Sequence, residues 1–593
     1  YLEDFDSDTN YRLSSAQQIR QTMKRLKPGK GYAMNMQYPR RDMTAYVACK
    51  KAFGDDAVDY IVDNFERTPL DYDTLVADLM EYDNIGAPRF QDDGLYEMVL
   101  QSVRNEFIPS QKLVPLTVGA ACEHPDMPRS KSAGLPYKLD TPRTKGEVFD
   151  DPVERDRINK QWHKRENYRV PPRLPDVALL ARAPITEKGK PKIRATWGYP
   201  AEAFIEEARF FYPYMQWIKR QDNASIAYGL EMTNGGMREI NRVATTIRGT
   251  YAMLDWKRYD KYLPAWLIRD AFSIVKEAFD MSKVQCVENK IWPVRSARSD
   301  RRWQCMVNYF INTPIRTPKG IRFQKTHGVP SGSAWTNIID TICNAIITRY
   351  VVFDTTGKFP DFDMFLGDDS FLVLSTGFID LDNLAVVAKD KFGMILNSDK
   401  SYLTQTPGNI QFLGYYNKNG MPYRSQPFLI ASACLPEYPI YDPMDSLARC
   451  IGQMWTTLDP YWAGRWYIVC KEISEYIGQS LEESYDYIRA HPWKMKYLQT
   501  VGIDPTTLVP VYPDDNGLIW DVSPKNNCPK AVTLWKNHPS KLWPQVQARF
   551  ELYQHIEEID GISDPDYTDP GEISMSKETV DAQDQMEEQH LMD

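Results

Sequence analysis

Apolar side chains recur at every third or fourth position in AQQIRQTMKRL (16–26), TAYVACKKAFG (44–54), DYDTLVADLMEYD (71–83) and GLYEMVLQSVRNEF (94–107). That is the period of helices with one buried face. A charged helix is expected at 151–167, and helical spacing returns over 202–245. Between them, 120–200 is rich in Pro, Gly and basic residues. From 249 to 425 short apolar runs mix with helical stretches, an α+β pattern rather than a regular βα alternation. Two of those runs, Met364-Phe365-Leu366 and Phe371-Leu372-Val373-Leu374, flank Gly367-Asp368-Asp369 and predict a hairpin with the acidic pair at its tip. Residues 440–560 read as helical, with Trp455, Trp462, Trp466 and Trp493 expected in the core. Residues 561–593 have few core formers and are expected to be disordered.

Composition narrows the class. At 593 residues, with 42% hydrophobic and 25% charged side chains, the chain suits one large enzyme with subdomains or several domains. Its nine cysteines form no CxxC pair, which argues for a reducing compartment and against a zinc or disulfide framework. No run of eighteen apolar residues suggests a membrane span, and YLEDFDSDTN does not read as a signal peptide. The formal charge of −9 belongs entirely to residues 561–593, so the remaining body is neutral and free to segregate a basic groove from an acidic surface.

The acidic hairpin tip suits divalent cations used for chemistry on phosphates. A second apolar strand ends at Asp255, and if it pairs with the hairpin, Asp255 and Asp368 flank a cation pair. Asp260 lies in the turn toward a helix beginning near Leu263. In GVPSGSAWTNIIDTICNAI, Ser331 is a candidate N-cap and Gly332 leaves room for a closely approaching ligand. Lys188, Lys190, Lys192 and Arg194 alternate; as a strand, all four would face one way and cradle a triphosphate.

In their order, D-x4-D, SG-x3-T and GDD resemble the palm of viral RNA-dependent RNA polymerases. SAGLPY (132–137) resembles the template-channel loop of the picorna-like members, motif G. KGKPKIRATWG (188–198) is similar to the basic fingers hairpin, motif F. KFGMILNSDKS (391–401) resembles motif D, and IQFLGYYN (410–417) motif E. The seven motifs span roughly 290 residues, and the SGSAWTN version of motif B most resembles partitiviruses, with picobirnaviruses next.

The resemblance implies an α+β right-hand polymerase that is mostly helical outside the palm sheet. The N-terminal region and fingers would occupy 1–248, the palm 249–425, a helical thumb 426–560 and an acidic tail 561–593. It implies Asp255, Asp368 and Asp369 as ligands of two Mg2+ ions (Mn2+ substituting) and Lys400 as a general acid for departing pyrophosphate. Asp260, Ser331, Gly332, Thr336 and Asn337 would place the nucleotide with the basic row, and Ser132, Ala133 and Gly134 would line the template path. Where the picorna-like pattern has Asn, four residues after Thr336, this chain has Asp340. On a helix Asn337 lies about 100° from Thr336, so either side chain could partner Asp260. The expected partners are RNA template and product, ribonucleoside triphosphates and a viral capsid protein, with no membrane, in a virion interior within the host cytoplasm. Rival readings are a reverse transcriptase-like palm enzyme, a non-catalytic capsid-associated RNA-binding protein, and a two-metal nuclease or phosphatase.

Overall fold

Helices form at 43–53, 72–79 and 95–107, where the apolar period places them, and their capping residues explain where they start. Asp42 accepts the Ala45 amide at the head of Met43–Phe53, and Asp71 accepts that of Thr74 at the head of Tyr72–Leu79. Leu95–Phe107 (α1) follows a left-handed Gly94. This computed structural model describes residues 23–510 and 536–560, apart from 35–39, 93, 224, 376–378, 458, 496–497 and 499–502. Residues 16–22 and the acidic segment 561–593 therefore lie outside the described residues. Lys24–Leu26, expected within a helix, is a strand instead, because it pairs with Arg322–Gln324 and that ladder overrides the local period.

Among the described residues, two larger sheets are built from nine strands. They are β1 (Lys24–Leu26), β2 (Val177–Arg182), β3 (Arg194–Gly198), β4 (Thr250–Met253), β5 (Pro314–Arg316), β6 (Arg322–Gln324), β7 (Phe362–Leu366), β8 (Asp369–Leu374) and β9 (Tyr402–Thr404). The first sheet runs β1-β6-β5-β2-β3, with only β5 and β2 parallel. The second, in the palm region, runs β7-β8-β4-β9 and is wholly antiparallel. Leu366 faces Asp369 across the hairpin, and Leu372 faces Ala252 of β4.

Two long helices support the site. Ala201–Lys219 (α2) is buried along most of its first half, and Thr336–Thr356 (α3) is buried from Ile338 through Val352. The α3 isoleucines share a core with Leu372 of the palm sheet and with α1. Arg349 of α3 is fully buried yet well matched: it makes a two-pronged pair with Asp363 at 2.8 and 3.0 Å and a third contact with Glu106 at 2.5 Å. A buried guanidinium persists only when its donors are satisfied in this way. His538 completes the cluster, its Nε2 3.0 Å from the Asp363 carboxylate.

Packing departs from the expected domain boundaries at both ends. Helix Met43–Phe53 joins the core of helices Pro443–Thr456 and Pro460–Ile477, with Phe53 stacked on Trp462 and edge-on to Trp466. The last described helix, Trp543–Asp560 (α4), falls within the expected thumb range by its place in the chain, but its Trp543 and Val546 enter the palm-side core. The Trp543 ring lies 4.7 Å from that of Phe359. Trp455 and Trp466 are buried as expected, whereas Trp493 is 65% exposed.

Candidate active site

The hairpin tip is held by polar groups from α3. Gly367 turns with φ +60°, a conformation that favours glycine. Its amide donates to Thr341 Oγ1 at 2.8 Å, while Asn344 Nδ2 donates to the carbonyls of Gly367 (3.0 Å) and Asp369 (3.2 Å). Thr341 and Asn344 were not singled out from sequence. The signal was available: with Asn337 they form a polar stripe at i, i+4 and i+7 along an otherwise apolar helix.

The register of β8 on β4 brings Asp255 to this tip, as the expected strand pairing requires. The Asp255 backbone is clamped by the motif D segment: its amide donates to Ser401 Oγ at 2.8 Å and its carbonyl accepts from Asn397 N at 2.7 Å. Burial, then Asp260 and Asp255, raise Asp368 to about 6. Burial, then Asp368 and Asp255, raise Asp369 to about 7, opposed by the Leu413 amide, which donates to Asp369 Oδ2 at 2.7 Å. Motif E thus occupies one oxygen of Asp369 and leaves Asp368 at the exposed crest of the turn. Among the described residues no three His, Cys, Asp or Glu side chains converge as a closed metal cluster. The donor set nevertheless fits hard divalent cations. It consists of carboxylate oxygens, and the burial and mutual repulsion that raise Asp368 and Asp369 would be relieved by a cation.

Asp340, rather than Asn337, is the partner of Asp260. Asp340 is buried on α3, and burial and the adjacent Asp260 push its carboxyl well above the usual range. Asp260 is also raised by burial, but less, because it accepts a hydrogen bond from Asp340 and faces Lys261, Arg194 and Lys325. The pair therefore holds its proton more firmly on Asp340 than on Asp260. Asn337 turns elsewhere, its Oδ1 accepting from the Tyr228 hydroxyl.

Other expectations are revised. Ser331 does not cap α3, which starts at Thr336 after a turn; Ser331 is exposed on that turn. At Gly332 the close approach is made by protein: an added Cβ would lie 1.9 Å from the Trp197 carbonyl. Thr336 donates its hydroxyl to the Pro330 carbonyl, closing the turn. The basic row is not one strand, since Gly189 (φ +81°) turns the chain and Pro191 follows, so that only Arg194 enters β3. All four basic residues are exposed. Lys190 pairs with Glu187 at 2.9 Å, and Arg194 is the member whose charge reaches Asp260 and Asp368. Arg182 pairs with Glu437 through two 2.9 Å bonds. In the 132–134 loop only Ser132 is exposed. Ala133 is buried with its carbonyl bonded to Ala201 N, and a Cβ on Gly134 would meet the Tyr199 carbonyl at 2.8 Å. Lys400 is exposed, on the same turn that clamps Asp255.

The chain is similar to the RNA-directed RNA polymerase of Atkinsonella hypoxylon virus, 25% identical over 58% of this chain and 54% of that one. It is also similar to that of White clover cryptic virus 1, 27% identical over 57% and 56%, and to that of Cryptosporidium parvum virus 1, 31% identical over 42% and 44%. The chain thus spans about half the length of the curated relatives it matches. Its fold is shared with the Sicinivirus 3Dpol RNA dependent RNA polymerase, at TM-score 0.59 and 14% identity, covering 81% of this chain and 100% of that one. The sequence model described as "Viral RNA-dependent RNA polymerase" matches residues 40–426, and on that extent of match the chain belongs to the viral RNA-dependent RNA polymerase family.

Proposed function

We propose that this chain adds ribonucleotides to RNA under the direction of an RNA template, as the polymerase of a double-stranded RNA virus. The observation that carries this reading is the strand register that brings Asp255 toward the Asp368–Asp369 hairpin tip, with the Asp260–Asp340 pair beside it. Asp255 and Asp368, with Asp369 beside them, would hold two divalent cations, Mg2+ by the hardness of the donors. When bound, these supply activation of a 3′-hydroxyl and stabilisation of leaving pyrophosphate. Asp260, whose burial is opposed by the Asp340 donor and by Lys261, Arg194 and Lys325, accepts the ribose 2′-hydroxyl. Arg194 offers its guanidinium to the triphosphate, and Lys400 gives a proton to pyrophosphate as it departs. Ser331 and Ser132 present hydroxyls to nucleotide and template.

A capsid protein as partner and the virion interior as the site of action belong to the same reading, supported by the viral relatives named above. The test is extension of an RNA primer on a defined RNA template with Mg2+, using ribonucleotides or deoxyribonucleotides. Template-dependent extension that prefers ribonucleotides is expected. A preference for deoxyribonucleotides would point to a reverse transcriptase, and no extension would overturn the proposal.

A further inference from the structure

Glu206 and Glu207 sit side by side on α2, and both are buried. Glu206 is matched by two guanidinium groups, Arg209 at 2.6 Å and Arg302 at 2.8 and 2.5 Å. Glu207 has no such match: among the described residues no basic side chain pairs with it. Its two oxygens go instead to consecutive residues of the motif B turn, Oε2 to Ser333 Oγ at 2.5 Å and Oε1 to Ala334 N at 3.1 Å. A buried carboxyl group without a cation is costly, and an apolar side chain would stabilise this position more.

What Glu207 holds accounts for its presence. Ser333 Oγ also accepts from Trp335 N at 3.1 Å, so one hydroxyl links α2 to the start of α3. One residue earlier, Gly332 lies flush against the Trp197 carbonyl of β3, the strand that begins at Arg194. Ser331 stands exposed at the crest. The turn is thus pinned on one side by β3 and on the other by a single carboxyl group.

We propose that Glu207 is a positioning residue of the nucleotide site: it fixes the Ser331–Ala334 turn between β3 and α3, and so sets where Ser331 stands relative to Arg194 and the hairpin carboxylates. This rests on the polymerase reading. The Ser333 hydroxyl and the Ala334 amide both donate to the Glu207 carboxyl oxygens. A glutamine amide keeps both links, its carbonyl oxygen accepting from Ala334 N and its N–H donating to Ser333 Oγ once that hydroxyl turns to accept.

The experiment compares E207Q, E207A, S333A and the double variant E207A/S333A in single-nucleotide extension, with melting temperatures measured alongside. E207Q is expected to stay within about threefold of wild type. E207A is expected to lose roughly 10- to 100-fold in kcat/KM for the nucleotide, most of it as a rise in KM. S333A should show part of that loss, and the double variant should be no worse than E207A, because both substitutions break one link. An E207A enzyme with unchanged KM, or losses that multiply in the double variant, would overturn the assignment while leaving the polymerase reading intact. A wild-type chain that extends no primer overturns both. Should E207A fail to fold, S333A and E207D carry the same expectation of a raised KM, and an unchanged KM in both would refute it.

Discussion

Replacing Asp340 tests whether a neutral carboxylic acid does the work that an amide would do in orienting Asp260. The Asp340 side chain is buried, and its Oδ1 has no hydrogen-bond partner among the described residues. The neighbouring Tyr259 hydroxyl bonds to the Asp340 carbonyl at 2.7 Å, a backbone contact that survives any substitution. Asp340→Ala therefore removes one hydrogen bond to an ionised acceptor and little else that is polar. Such bonds contribute about 1.5–3 kcal/mol, or roughly 10- to 150-fold in a rate ratio. The loss should fall on ribonucleotides, because only they offer Asp260 a 2′-hydroxyl. Asp340→Asn keeps an N–H donor at the same place and should remain within about threefold of wild type. The assay is single-turnover incorporation of a ribonucleotide and its deoxy counterpart on one primer–template, compared as the ratio of kcat/KM values. Asn337→Ala is the control, since Asn337 is bonded to Tyr228 and should leave the ratio nearly unchanged. A ratio preserved in Asp340→Ala, or one collapsed in Asn337→Ala, would refute the pairing.

Asp255→Ala and Asp368→Ala should each abolish nucleotide addition while the protein stays folded, as circular dichroism and melting would check; near-normal extension by either would remove the carboxylates from the site. Lys400→Leu should slow the chemical step by roughly 10²- to 10⁴-fold with little change in nucleotide affinity, read by rapid quench; a wild-type rate would return Lys400 to the surface. Asn344→Leu leaves the Gly367 and Asp369 carbonyls without their shared donor, and about 2–4 kcal/mol of lost stabilisation should appear as a lower melting temperature and reduced turnover. Burial raises Glu207 from 4.5 to about 8, so the folded protein keeps a proton there that the unfolded chain releases. Stability from this group therefore falls as pH rises from 4.5 to about 8, by about 3 kcal/mol at pH 7. Glu207→Gln should flatten the decline of melting temperature across that window, and an unaltered slope would contradict a neutral Glu207.

Much of this site was legible because its parts are local. The hairpin needs only two apolar runs and a glycine, and the approach of Asp255 follows once β4 pairs with β8. What escaped depends on residues distant in sequence. Glu207 meets a turn 126 residues away, and Leu413 reaches Asp369 across 44 residues; no periodicity announces either. The basic row misled because its alternation is that of a strand, while Gly189 and Pro191 break the ladder between its members. Gly332 misled differently: a glycine reports that something comes close, and only the fold reveals that it is Trp197 rather than a ligand. The choice between Asn337 and Asp340 turned on where α3 begins, and helix boundaries are weakly encoded in sequence.

The return of the chain to Asp363 bears on how the protein is made. Asp363 lies in β7, one strand of the acidic hairpin, and its buried carboxylate is shared between Arg349, 14 residues earlier, and His538, 175 residues later. Trp543 then covers Phe359 from the same late segment. A ribosome must deliver the chain through Trp543 before this side of the palm is sealed. Until then the nascent hairpin carries an open apolar flank, and a chain released early would display its catalytic strands without their cover. The helix at Trp543–Asp560 thus acts as a completion check, making a finished active-site scaffold depend on synthesis through Trp543.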